Sequence, residues 1–305
     1  MMSFRRLGQA DSPQKRTKAI MRNLISTGLR KLVKTESRYP KGQRNAVVIA
    51  VATVKGGVGK TTTAVNLASA LATFHDKKVL LIDLDAQGHC STSLSSALPT
   101  AGPEPTPISE VLLSEERLDV LDARRSTTIT NLDLTPADRG LAEAEGRISQ
   151  KIGKELLLRD ALEYARTHYD VILMDCPPNK GNLTLNALLA ADQVLIPTDL
   201  SPLSVQGADE LLETVLTIRD RLHHRVEILG VVLTRVDGRN VTINQEILQS
   251  IEAAWGDLVL GQTIGINTQL ARAQLSGESI FDHAPQSRGA AHYKALADEV
   301  MARLG

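Results

Sequence analysis

Residues 46–71 read AVVIAVATVKGGVGKTTTAVNLASAL: a continuous apolar run, a loop with three glycines, and a run of helix formers opened by Lys60. An uninterrupted apolar strand needs cover on both faces, as in a parallel sheet flanked by helices. Gly56, Gly57 and Gly59 let backbone N–H groups close around an anion, with Val58 between them, and the helix that follows aims its positive dipole end at the same point. Lys60 then reaches the β- and γ-phosphates of a nucleotide, and the Thr61 hydroxyl, next to Thr62, offers a ligand to Mg²⁺. One lysine suffices for such a loop, so Lys55 calls for a separate explanation.

The rest of the chain repeats strand, loop and helix. KVLLID (78–83), a short NLDLTPA strand, YDVILMD (169–175), DQVLIPT (192–198) and VEILGVVLTRVD (226–237) are the further strands. Helices are predicted after the glycine loop to about Phe74, over about 153–168, and over the C-terminal SRGAAHYKALADEVMARL. The proline-rich LPTAGPEPTP (98–107) reads as a surface insertion. Alternating elements predict an α/β fold with a mostly parallel, doubly wound sheet carrying helices on both faces. Aromatics are only 3% of the chain, so Ala, Val, Ile and Leu must build the core.

A formal net charge of +0 hides an asymmetry. Residues 1–45 hold 12 Lys+Arg against 2 Asp+Glu, a charge of +10, which leaves −10 on residues 46–305. Within that arm Ile20, Met21, Leu24, Ile25, Leu29, Leu32 and Val33 recur at helical spacing. The expected division is therefore a basic N-terminal arm with an amphipathic helix, 1–45, and a nucleotide domain, 46–305. The arm is a candidate for packing on the body or a partner, or for contact with nucleic acid or a membrane surface. No apolar run reaches the roughly 18–20 residues that span a bilayer, and Cys90 and Cys176 form no metal or disulfide pattern. The reading is a cytoplasmic protein.

The strict loop pattern G-x-x-x-x-G-K-[ST] fails, because its first glycine would fall on Val54. Lys55-Gly56-Gly57-Val58-Gly59-Lys60-Thr61 instead resembles the deviant Walker A motif of the ParA/MinD group of ATPases. The resemblance implies that Lys60 contacts phosphate in cis, while Lys55 crosses a homodimer interface to the other subunit's ATP. LLIDLDAQGHCS (80–91) resembles the group's switch I, usually D-x-D-P-Q-G. Asp83 and Asp85 match its carboxylates, and Ala86 replaces the proline. By resemblance Asp85 handles the attacking water. DVILMDCPPN (170–179) resembles Walker B with switch II, which implies that Asp175 supports Mg²⁺, through water. Thr234 and Asp237 stand where related folds recognise the base; a plain turn after a strand explains them equally.

The resemblance covers about residues 46–304. C-x-x-C is absent and neither cysteine is placed for a shared iron–sulfur cluster, and the four tyrosines are scattered. The block 276–300, SGESIFDHAPQSRGAAHYKALADEV, resembles ParA partition ATPases in particular. That implies ATP-dependent dimers on non-specific DNA, a ParB-like or other adaptor stimulating hydrolysis, and a nucleoid-associated protein that moves a plasmid, a chromosome or a protein cargo. Ile266 and Gln269 stand where the family often has DNA-binding arginines, which leaves Arg239, Arg272 and Arg288 as the DNA candidates. The rival readings are a MinD-like membrane-surface switch and a DNA-binding regulator with incidental ATP binding.

Overall fold

The first strand, β1 (Val47–Val51), has almost no solvent exposure on either face, and its neighbours explain why. It pairs in parallel with β5 (Val171–Asp175) on one side and β6 (Gln193–Asp199) on the other. With β2 (Val79–Asp83), β3 (Arg125–Ser126), β4 (Leu132–Thr135) and β7 (Glu227–Thr234) they form a seven-stranded sheet, in the order β3-β4-β2-β5-β1-β6-β7. All pairings are parallel except β3 with β4, a two-residue antiparallel edge that the apolar pattern did not announce. The expected α/β, mostly parallel, doubly wound architecture is what the chain adopts.

This is a computed structural model, and it describes residues 39–237 and 241–305. The basic arm's helix and Arg239 fall outside the described residues. The body is one compact unit, Lys41–Gly305. Its first residues are already anchored: Gly42 N donates to Thr167 Oγ1 at 2.8 Å and Arg44 N to the Thr167 carbonyl at 3.0 Å.

Helix α1 (Lys60–Phe74) follows the glycine loop and is buried along nearly all its length, from Thr63 to Ala72. Small residues, Ala64, Ala68, Ser69 and Ala70, let it lie close to the sheet. Its other side meets α11 (Arg288–Leu304), whose Tyr293 hydroxyl lies 3.3 Å from Thr63 Oγ1. Ala290, Tyr293, Leu296, Ala297 and Val300 are the buried stripe of α11, so this amphipathic helix spends its apolar face on the core.

Three short helices, α2 (His89–Ser93), α3 (Ile108–Leu113) and α4 (Gly140–Ile148), lie in the connections from β2 to β5. The helix expected over 153–168 is shorter and broken: α5 is Leu157–Ala161, followed by a 3-10 turn at Ala165–Thr167. Beyond α5 the Asp119 carboxylate accepts the Tyr164 N–H at 2.9 Å and diverts it from a helical partner. Helices α6 (Asn182–Ala190) and α7 (Pro202–Leu222) flank β6, and α8 (Val241–Trp255), α9 (Thr268–Ser276) and α10 (Ile280–His283) follow β7. The last strand stops at Thr234 rather than near residue 237, since Arg235 turns into the left-handed region at φ 53°.

Candidate nucleotide site

In an open parallel sheet, ligands bind beyond the carboxyl ends of the strands. Here those ends carry the glycine loop after β1, Asp83 at the end of β2, Asp175 at the end of β5 and Thr234 at the end of β7. Gly57 and Gly59 have φ of 81° and 84°, a region in which a Cβ is strained, so these two glycines shape the loop. Gly56 and Gly57 are exposed, Val58 is buried, and Thr61 and Thr62 are half-buried at the start of α1. Lys60 is 7% exposed, and its ammonium donates to the Lys55 carbonyl at 3.5 Å. Burial lowers the Lys60 pKa, and the negative charge of Asp175 chiefly opposes that shift. Lys55 is half-buried on the same loop.

Opposite the loop lies a buried acidic end. Asp83 and Asp175 are register partners on adjacent parallel strands, both fully buried. Both oxygens of Asp83 are engaged by the segment that follows it: Oδ1 accepts from Asp85 N at 3.1 Å and Oδ2 from Cys90 N at 3.0 Å. Asp175 Oδ2 accepts from Thr61 Oγ1 at 2.7 Å and from the Cys90 thiol at 3.3 Å, whereas Oδ1 is buried with no hydrogen-bond partner among the described residues. Desolvation, and then repulsion by Asp175, pushes the Asp83 pKa to about 8. Desolvation also lifts Asp175 to about 6, while the hydrogen bonds from Thr61 and Cys90 and the charge of Lys60 pull it down. Burial raises the thiols of Cys90 and Cys176 as well, which leaves both protonated.

A ligand atom from each of Asp83, Cys90 and Asp175 lies within 4.8 Å of the others. Two carboxylates and a hydroxyl are hard oxygen donors, as Mg²⁺ prefers, while a protonated thiol serves as a hydrogen-bond donor. The unpartnered Asp175 Oδ1 and the adjacent Thr61 hydroxyl are the atoms that a hydrated divalent cation would satisfy. The residues present therefore fit Mg²⁺.

Comparison with known proteins agrees with this geometry. A family model described as an AAA domain matches residues 46–228. The sporulation initiation inhibitor protein Soj of Bacillus subtilis is 38% identical over 255 residues, 84% of this chain and 98% of that protein. The chromosome partitioning protein ParA of Caulobacter vibrioides is 38% identical over 258 residues, 84% of this chain and 94% of that protein. This chain belongs to the ParA family of ATPases. Among solved structures, a Mycobacterium smegmatis protein described as cobyrinic acid a,c-diamide synthase, with ADP and magnesium, is 32% identical at TM-score 0.69, covering 85% of this chain and 95% of that one. A Borrelia burgdorferi plasmid partition protein bound to AMPPNP is 26% identical at TM-score 0.68, covering 85% and 98%. An ATP complex of Cyanothece McdA, 23% identical at TM-score 0.74 over 86% and 97%, shares the fold.

The remaining candidates fall into two groups. Asp85 lies near the ParA-type loop, half-buried, with Oδ1 accepting from Gln87 N at 3.1 Å, and it adds to the field that acts on Lys60. Thr234 is 2% exposed beneath the loop, with its hydroxyl 2.7 Å from the Val58 carbonyl and 3.1 Å from the Thr198 carbonyl. That position supports the loop from behind; Asp237, half-buried, follows the turn. Arg272 on α9 and Arg288 at the first turn of α11 are both exposed, and neither is salt-bridged among the described residues. Their helices adjoin where Gly289 lies against Leu270 and Asn267.

Sequence reading missed Cys90 as a partner of Asp175, and it missed Glu145. The Glu145 carboxylate accepts the N–H groups of Asn182 and Leu183 and so caps α6, just beyond Pro177-Pro178. Neither residue has a local signal, because each acts on an element distant in sequence. Arg235 was also passed over; its Nη1 donates to the Gly57 carbonyl at 3.3 Å.

Proposed function

We propose that this chain dimerises on binding ATP with Mg²⁺, binds DNA without sequence preference, and hydrolyses ATP to ADP and phosphate under stimulation by a ParB-like or other adaptor protein. The cycle segregates or positions a plasmid, a chromosome or a protein cargo, with the protein held at the nucleoid. The observation that carries this reading is the two-lysine loop set over the hydrogen bond from half-buried Thr61 to buried Asp175. Division into an arm, 1–45, and an ATPase domain, 46–305, is part of the same proposal.

Each residue has a role that follows from its position. Backbone N–H groups of the loop and the N-terminus of α1 hold the phosphates, and Lys60, already desolvated, places a cation at the β/γ bridge. Thr61 and Asp175 would hold Mg²⁺, Asp175 through water. When bound, Mg²⁺ neutralises charge on the transferring phosphoryl group. Asp85, which keeps one carboxylate oxygen clear of hydrogen bonds among the described residues, orients the attacking water. Lys55, carried on the half-buried rim of the loop, reaches the partner's ATP and completes the site only in the dimer. Hydrolysis is therefore slow until assembly and the adaptor complete it.

The proposed cationic face for DNA is the pair of exposed arginines on α9 and α11. A membrane-surface role draws no support from the C-terminal helix, whose apolar stripe is packed on α1. No helix among the described residues is long and apolar enough to cross a membrane. The test is co-sedimentation of the full chain with non-specific duplex DNA, and separately with anionic vesicles, with ATP, ADP or no nucleotide. Binding to DNA with ATP alone is the expected result. Nucleotide-independent binding, or binding to vesicles only, would overturn the reading.

A further inference from the structure

Strand β7 ends against the back of the glycine loop, and two consecutive residues there engage two consecutive loop carbonyls. Thr234 Oγ1 donates to the Val58 carbonyl at 2.7 Å, and Arg235 Nη1 donates to the Gly57 carbonyl at 3.3 Å. Thr234 is 2% exposed and its methine carbon side faces Gly59, whose notional Cβ would stand 4.0 Å from Thr234 Cβ. Arg235 is exposed, yet its backbone is left-handed at φ 53°, a conformation uncommon for a residue with a long side chain. That turn takes the guanidinium out of the strand direction and over the loop. A residue that merely ended the strand would be better served by glycine or asparagine.

Peptide geometry gives these contacts a consequence. In a trans peptide the carbonyl and the N–H of the same unit point to opposite sides. Drawing the carbonyls of Gly57 and Val58 toward β7 therefore turns the N–H groups of Val58 and Gly59 away from it, toward the mouth of the loop. With Gly57 and Gly59 at φ 81° and 84°, the loop has little intrinsic stiffness of its own to hold that orientation. We propose that Thr234 and Arg235 are positioning residues, a two-point clamp that sets the loop's N–H groups for phosphate. The proposal rests on the reading of the loop as an ATP site, and it replaces base recognition as the task of Thr234, whose hydroxyl is already committed beneath the loop.

The clamp is tested by titrating MgADP into the full chain, since ADP reports the loop without requiring the dimer. The variants are Arg235→Gly, Arg235→Lys, Thr234→Val and Thr234→Ser, with Lys60→Ala as the reference for loss of phosphate contact. Arg235→Gly relieves the left-handed backbone, so its melting temperature should stay level or rise. Its MgADP affinity should nevertheless fall about three- to tenfold, the worth of a lost orienting hydrogen bond. Arg235→Lys should recover part of that loss, and Thr234→Ser should bind as wild type while Thr234→Val weakens. Affinity lost without loss of thermal stability is the mark of positioning, which a purely structural role would not produce. Arg235→Gly and Thr234→Val both binding within about twofold of wild type would overturn the clamp while leaving the ATPase reading intact. Wild type failing to bind MgADP or an ATP analogue at all would overturn both.

Discussion

Thr61 Oγ1 donates a 2.7 Å hydrogen bond to Asp175 Oδ2, joining the first turn of α1 to the carboxyl end of β5. The contact sets a hydroxyl and a carboxylate side by side before any ligand arrives. Such preorganisation is how a site meets a cation that tolerates little distortion of its ligand shell. It also places Lys60 and Asp175 in one field, since Asp175 is the leading charge that opposes the lowering of the lysine's pKa.

The two loop lysines should separate by experiment. Lys60→Ala removes a buried cation from the phosphates and should weaken MgADP and MgATP binding by about ten- to hundredfold. Lys55→Ala should keep the monomer's affinity within about threefold and lose ATP-dependent dimerisation and turnover. Isothermal titration together with light scattering after gel filtration decides this. Equal loss of affinity in both variants would place Lys55 in the cis loop alone.

Asp83 and Asp85, two residues apart, should behave differently. Asp85→Ala should bind ATP and dimerise, yet release phosphate at least about a hundredfold more slowly, with a longer-lived dimer on DNA. Asp83→Ala strips the acceptor from the Asp85 and Cys90 N–H groups in a fully buried place, so it should lower the melting temperature first. An Asp85→Ala protein turning over ATP at the wild-type rate would remove Asp85 from the water-handling role.

DNA affinity should depend steeply on salt, with a log–log slope of about −0.9 for each phosphate neutralised. Reversing charge at Arg272 and Arg288 together should abolish DNA binding while ATP-dependent dimerisation persists. Undiminished binding by that double variant, measured by fluorescence anisotropy, would move the DNA surface to another part of the chain.

Stability of the nucleotide-free protein should depend on pH in a defined direction. Asp175 rises to about 6 and Asp83 to about 8, each from an ordinary value of 3.8. On unfolding each carboxyl would release its proton more readily, so the stability they contribute is full below about pH 4. It is lost as pH climbs to about 6 for Asp175 and to about 8 for Asp83. Melting temperature without Mg²⁺ should therefore fall between pH 5 and pH 8, and Asp175→Asn should flatten the lower part of that fall. A wild-type profile that rises through the window would contradict the assignment.

The glycine loop, the parallel strands and the placing of Asp175 at a strand end were legible because each is a local pattern. An apolar run, a glycine spacing and a carboxylate at the end of a strand state their backbone geometry and burial within a few residues. The helices α1 and α11 were legible for the same reason. Tertiary structure alone decided the rest. Asp83 and Asp175 become register neighbours only when β2 and β5 pair, and strand pairing has no local mark. Within the segment expected as a helix over 153–168, Tyr164 gives its N–H to Asp119, a residue from another connection. Likewise Thr234 and Arg235 read as the end of a strand until β7 is seen lying behind the loop, where their donors meet the carbonyls of Val58 and Gly57. A chain specifies its local conformations through side chains close in sequence, whereas a partner's proton or carbonyl is supplied by whichever segment the fold brings alongside.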